Sequence, residues 1–159
     1  MCDQYLADKA ETLTWVREDG RHVTFPHPAT TDGSVRAVGD NWWISLCSPE
    51  ALPGFIRDTT QPSGRLWRIS DNRGGAWFFT QTGAWLGACG GPGEAIAVVR
   101  GEAGEAAGLV GERGRSLTFE YSHGRIVSAQ AGGCRLEYVY DEAYQRLVSV
   151  RTGGAARRY

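Results

Sequence analysis

The chain repeats itself, and that limits what it can fold into. Leu117-Thr-Phe-Glu-Tyr121 recurs nineteen residues later as Leu136-Glu-Tyr-Val-Tyr140, and Gly124-Arg125-Ile126-Val127-Ser128 recurs twenty-one residues later as Gln145-Arg146-Leu147-Val148-Ser149. The two extra residues fall in the turn, where Ser122-His123-Gly124 becomes Asp141-Glu142-Ala143-Tyr144-Gln145. A glycine pair follows each second segment, Gly132-Gly133 and then Gly153-Gly154, and an aromatic follows each pair, Tyr138 and then Tyr159. An earlier copy runs from Gly64-Arg65-Leu66 through Ser70-Asp71 to Gly74-Gly75 and into Trp77-Phe78-Phe79. One such unit cannot bury its own apolar face, so successive units must lie side by side.

Within and around the repeat, apolar and polar residues alternate in short runs between glycine-rich turns, the period of antiparallel strands, and helical periodicity is scarce. The pattern predicts strands over 12–17, 21–25, 41–46, 66–70, 76–80, 96–100, 116–121, 125–130, 135–140 and 146–152. Their β-branched and aromatic content fits a pleated sheet. Asp19-Gly20 supplies the positive φ of a tight turn and should join Trp15 and Phe25 in one hairpin. Pro49, Pro53, Pro62 and the polar stretch 57–64 suggest a boundary near residue 60, dividing the chain into 1–60 and 61–159. The glycine-dense stretch 87–114 reads as a loose excursion from the regular array. Recurrence predicts equivalent places in a repeat core for Tyr121, Ile126, Leu136, Tyr138, Tyr140, Leu147 and Val148. The last predicted strand, Arg146 to Thr152, would leave an uncovered edge prone to self-association.

Seventeen basic and eighteen acidic residues leave a net charge of -1 on 159 residues. That balance argues against nucleic acid or a membrane surface as partner, since both are normally met with a basic excess. No apolar run approaches the ~20 residues of a membrane helix, and the acidic start of the chain is unlike an export signal, which predicts synthesis in the cytoplasm. Cys2, Cys47, Cys89 and Cys134 form no Cys-x-x-Cys pair, so neither a metal site nor any cofactor is expected.

Gly-Arg-Leu followed by an alternating strand, a glycine turn and an aromatic-x-Tyr-Asp resembles the RHS or YD repeat of bacterial polymorphic-toxin proteins. The residues that carry the likeness are Gly64, Arg65, Leu66, Tyr121, Gly124, Arg125, Tyr138, Tyr140, Asp141, Arg146 and Leu147. Trp15 to Pro26, with Asp19-Gly20-Arg21 and Phe25-Pro26, is similar to the segment that precedes the repeats. Ser122-His123 and Gln145 depart from the family's pattern, and no match to its self-cleavage motif is present. The resemblance implies an all-β fold of antiparallel hairpin repeats forming part of a β-shell, with an N-terminal RHS-associated region over 1–60. It also implies a structural role in enclosing a toxin that is secreted or displayed in interbacterial competition. Its partners would be further RHS-repeat segments, a second copy through the C-terminal edge, or the enclosed toxin.

His22, His27 and His123 lack a nucleophile or acid in any recognisable motif, so no catalytic residue is assigned and no enzyme is expected. Glycines 108, 111 and 114 lack the lysine and the strand-to-helix setting of a phosphate loop. Alternation places Phe119, Tyr121, Tyr138 and Tyr140 on one face, where rings either pack across strands or stack on a ligand. The alternative function is therefore an aromatic-rich surface that binds carbohydrate or protein.

Overall fold

The computed structural model describes residues 4–9, 11–17, 19–28, 33–91, 93–153 and 155–158. Cys2, Gly154 and Tyr159 lie outside the described residues. The fold is mostly β, as expected. Its strands are β1 (Tyr5–Lys9), β2 (Thr12–Val16), β3 (His22–Pro26), β4 (Ser34–Arg36), β5 (Trp42–Cys47), β6 (Leu66–Asp71), β7 (Ala76–Thr80), β8 (Trp85–Cys89), β9 (Ile96–Arg100), β10 (Ala106–Gly111), β11 (Ser116–Ser122), β12 (Arg125–Ala131), β13 (Cys134–Tyr140), β14 (Leu147–Thr152) and β15 (Ala155–Arg158). Among the described residues, a 3₁₀ turn at Pro49–Ala51 and one helix, α1 (Gly54–Thr60), interrupt them. β1 to β3 form one sheet and β4 to β15 a second, in unbroken sequence order. The sheets do not close into a shell among the described residues.

The chain divides into two compact units, Met1–Val98 and Val99–Tyr159. In the first, the three-stranded sheet packs on strands β5 to β7. Leu13 opposes Phe25 and Trp15 opposes Val23 across the expected hairpin, and all four meet Ile44, Trp67, Ile69 and Phe79 of the second sheet. Alternation decides the arrangement: Trp67 and Ile69 face this core, while Leu66 between β5 and β7 points to the other side and is also fully buried. Beyond that side, Ile56 of α1 is buried and comes within reach of Gly87 on β8. β1 is tied down by an isolated bridge from Tyr5 to Ala84 and by the Leu6 N–H, which donates to the Gly83 carbonyl at 3.0 Å. Gly83 has φ +88, and a Cβ there would run into the Leu6 carbonyl, so the close approach depends on glycine.

The second unit is built differently. Consecutive hairpins from β10 to β15 pair edge to edge, yet of their apolar side chains only Ala106 and Ala129 are buried. The expected repeat core is not formed: Tyr121, Leu136 and Val148 are exposed, and Ile126, Tyr138, Tyr140 and Leu147 are half-buried. Alternation identifies the face a side chain takes, whereas burial also requires a layer across that face, and here the layer is absent among the described residues. Two further expectations change. The stretch 87–114 carries β9 and β10 in the ladder, and Arg146 to Thr152 is not an edge, since β14 pairs with β13 on one side and β15 on the other.

Candidate functional site

The predicted motif residues of the second unit gather along the ladder β11 to β14. Register sets Phe119 opposite Ala129, Ala129 opposite Leu136, and Tyr138 opposite Val150. Phe119, Tyr121, Leu136, Tyr138, Tyr140 and Val150 therefore share one face, as the alternation predicts. Tyr121 and Tyr140, nineteen residues apart, use their hydroxyls in the same way. Each reaches back to the preceding strand, Tyr121 donating to the Ala106 carbonyl at 2.9 Å and Tyr140 to the Ile126 carbonyl at 3.0 Å. A ladder bulge sits beside each tyrosine, between Glu120 and Tyr121 and between Val139 and Tyr140. The repeat in sequence is thus a repeat in bonding.

Its aspartate is a turn residue. One carboxylate oxygen of Asp141 accepts the backbone N–H groups of Gln145 at 2.7 Å and Arg146 at 3.3 Å. Asp71, in the earlier copy, accepts those of Arg73 and Gly75, both at 2.8 Å. This Asx-type bonding replaces the backbone partners lost when a strand reverses. Gly64 and Gly124 both sit in the left-handed region, φ +73 and +72. Where Gln145 stands in place of the glycine, the longer loop passes the positive φ to Tyr144 at +54. The His123 ring then lies tilted against Tyr144 with centroids 4.2 Å apart, and Tyr144 stacks on Tyr140 at 6.2 Å. The Arg125 guanidinium lies 5.7 Å from the Tyr140 ring, whereas Arg65 is exposed.

The opposite face is polar. Arg135 grips Glu120 through both carboxylate oxygens, at 2.6 and 3.2 Å, and the Ser128 hydroxyl donates to the same carboxylate at 2.8 Å. The guanidinium first and the hydroxyl second hold the Glu120 carboxyl below its ordinary pKa, and Glu120 in turn raises that of Arg135. Sequence reading missed this bridge across three strands, because it depends on register rather than on spacing.

In the first unit, Trp15, Trp42 and Trp77 form a cluster with centroids 5.0 to 5.3 Å apart, and Arg17 lies over Trp15 and Trp42. The indole N–H of Trp15 donates to the Gln4 side chain at 3.2 Å. Trp43 points the other way from Trp42 and meets Arg36. The histidines are dispersed. The His27 ring nitrogen lies 2.9 Å from Asp8 and 3.0 Å from the Lys9 carbonyl, and His123 lies 2.9 Å from the Ser122 hydroxyl in an exposed turn. Cys47 is half-buried, and burial pushes its thiol pKa up. No grouping of three or more metal-ligating side chains occurs among the described residues. No helix among them is long and apolar enough to cross a membrane.

No protein-family model matches the chain, and no curated protein matches its sequence.

Proposed function

We propose that the chain is a non-catalytic structural module, similar to part of an RHS or YD-repeat wall that encloses a toxin used between competing bacteria. The observation that carries this reading is the shared bonding of Tyr121 and Tyr140, each locking its strand to the one before at equivalent places in successive units. A residue kept for a ligand would aim its hydroxyl outward; these two use it inside the ladder. The paired roles of Asp71 and Asp141 support the same reading, since both motif aspartates serve turns. The carbohydrate-binding alternative ranks below it. Tyr140 and Tyr144 stack, His123 lies against Tyr144, and Arg17 covers Trp15 and Trp42, so these faces are already engaged.

Deleting the coding segment for residues 61–159 in the producing cell tests the proposal. Killing of a susceptible competitor in co-culture should be lost while the toxin expressed alone stays active. Unchanged killing would overturn the structural role, and specific glycan binding by the purified chain would favour the alternative.

A further inference from the structure

The polar face of β11 to β15 carries the repeat twice, with different charges. In the first copy Ser128 stands between Glu120 and Glu137, and Arg135 is opposite Gln130. In the second, Ser149 stands between Val139 and Arg158, and Ala156 is opposite Arg151. The acid at the centre of the bridge, Glu120, has thus become Val139, while Gln130 and Glu137 have become arginines. Both serines are buried. Ser128 donates to the Glu120 carboxylate at 2.8 Å, whereas Ser149 has no acid on either side of it in register. Where Arg135 fills the first copy, Ala156 leaves room, and a cavity of about 430 Å³ opens between Glu137, Arg151, Ala155 and Ala156. Glu137, opposite Arg151, lies 3.7 Å from Arg135. Among the described residues neither Arg151 nor Arg158 joins an ion pair.

We propose that the second copy binds a carboxylate supplied by a ligand, in the place that Glu120 holds in the first, between the Arg151 and Arg158 guanidinia and Ser149. The first copy is the template for the chemistry: there one carboxylate takes two guanidinium bonds and one hydroxyl bond. The planar fork of a guanidinium matches a carboxylate, and charge-assisted bonds are the stronger kind. A free small organic acid and an acidic side chain of a polypeptide present the same group. Carboxylate binding here is independent of the wall role, since it follows from register within one chain.

Titrating the isotope-labelled full chain with glutarate and with a terminally blocked Gly-Glu-Gly peptide, while following arginine Nε–H resonances by NMR, tests the proposal. Saturable shifts at Arg151 and Arg158 are expected, at millimolar ligand because the site is open to solvent and screened by salt. Saturation by both probes identifies a free acid as sufficient; saturation by the peptide alone identifies a polypeptide source. Arg151→Gln should weaken binding about tenfold. Val139→Glu, which supplies the missing carboxylate from the chain itself, should abolish it with the far-UV spectrum unchanged; should that variant misfold, Arg151→Gln decides. Arg146→Gln, outside the site, should leave binding alone. Shifts that never saturate, or that chloride reproduces at equal ionic strength, would overturn the proposal. So would an unchanged affinity in Arg151→Gln. These readings need no producing cell, so they stand or fall separately from the competition assay.

Discussion

Leu66 and its repeat equivalents Ile126 and Leu147 occupy the same place in the motif yet have different fates. Leu66 is fully buried, while Ile126 and Leu147 are half-buried. The first unit stores its stability in a core of rings and aliphatic chains that are far apart in sequence. The second relies on bonds to the neighbouring strand: ladder pairing, tyrosine hydroxyls and aspartate-capped turns. One hairpin plan therefore supports two kinds of stability, decided by whether a second layer is present.

Core truncation should separate the units most strongly. Phe25→Ala, at a fully buried site, should cost about 3–5 kcal/mol, read by tryptophan fluorescence because all six tryptophans lie in the first unit. Tyr138→Ala in the second unit should cost less than half as much by far-UV circular dichroism; equal losses would erase the distinction. Gly83→Ala comes next. A strained φ and the obstructed Leu6 carbonyl should cost about 1–3 kcal/mol, with faster amide exchange over β1 as the local sign. Tyr121→Phe and Tyr140→Phe should each cost about 0.5–1.5 kcal/mol in chemical denaturation. Their near equality sharpens the picture of a bonding repeat, and a null effect at one of them would break it.

The smallest effect is expected at the polar bridge. Arg135 and Ser128 lower the Glu120 carboxyl below its ordinary 4.5, so the folded state favours the ionised form. The contribution is present above that unfolded value and is lost as pH falls through the depressed folded one. The pair is solvent-exposed, so the effect is modest. Glu120→Gln should be slightly less stable than wild type at neutral pH, with the gap closing in acid. A gap that widens in acid would show that the bridge is not what orders β11 to β13.

Where alternation is strong, as in Thr12–Val16, Ala76–Thr80 or Cys134–Tyr140, the strands were legible in the sequence to within a residue or two. Those missed lack a readable pattern. β10 is rich in small residues and includes Gly108, where a Cβ would lie 2.6 Å from the Leu117 carbonyl, and β8 includes Gly87, packed against Ile96 and Ile56. β1, β4 and β15 are short, polar strands at sheet margins. α1 has seven residues and follows Pro53, so proline read as a break was also a helix start. The motif tyrosines and Asp141 were visible as repeats, but their bonds were not, because the partners are backbone carbonyls and amides, which leave no mark in side-chain spacing. Burial was the least legible property, since it depends on what lies across a face.

The strict sequence order of the ladder from β4 to β15 has a consequence for how the chain is made. Each new strand finds its partner in the one just synthesised, so loop closure is short at almost every step and the array can grow vectorially behind an advancing terminus. The bridge from Tyr5 to Ala84 is different. It must wait until β7 is complete, and so acts as the latch that fixes the amino-terminal layer after the ladder beneath it exists.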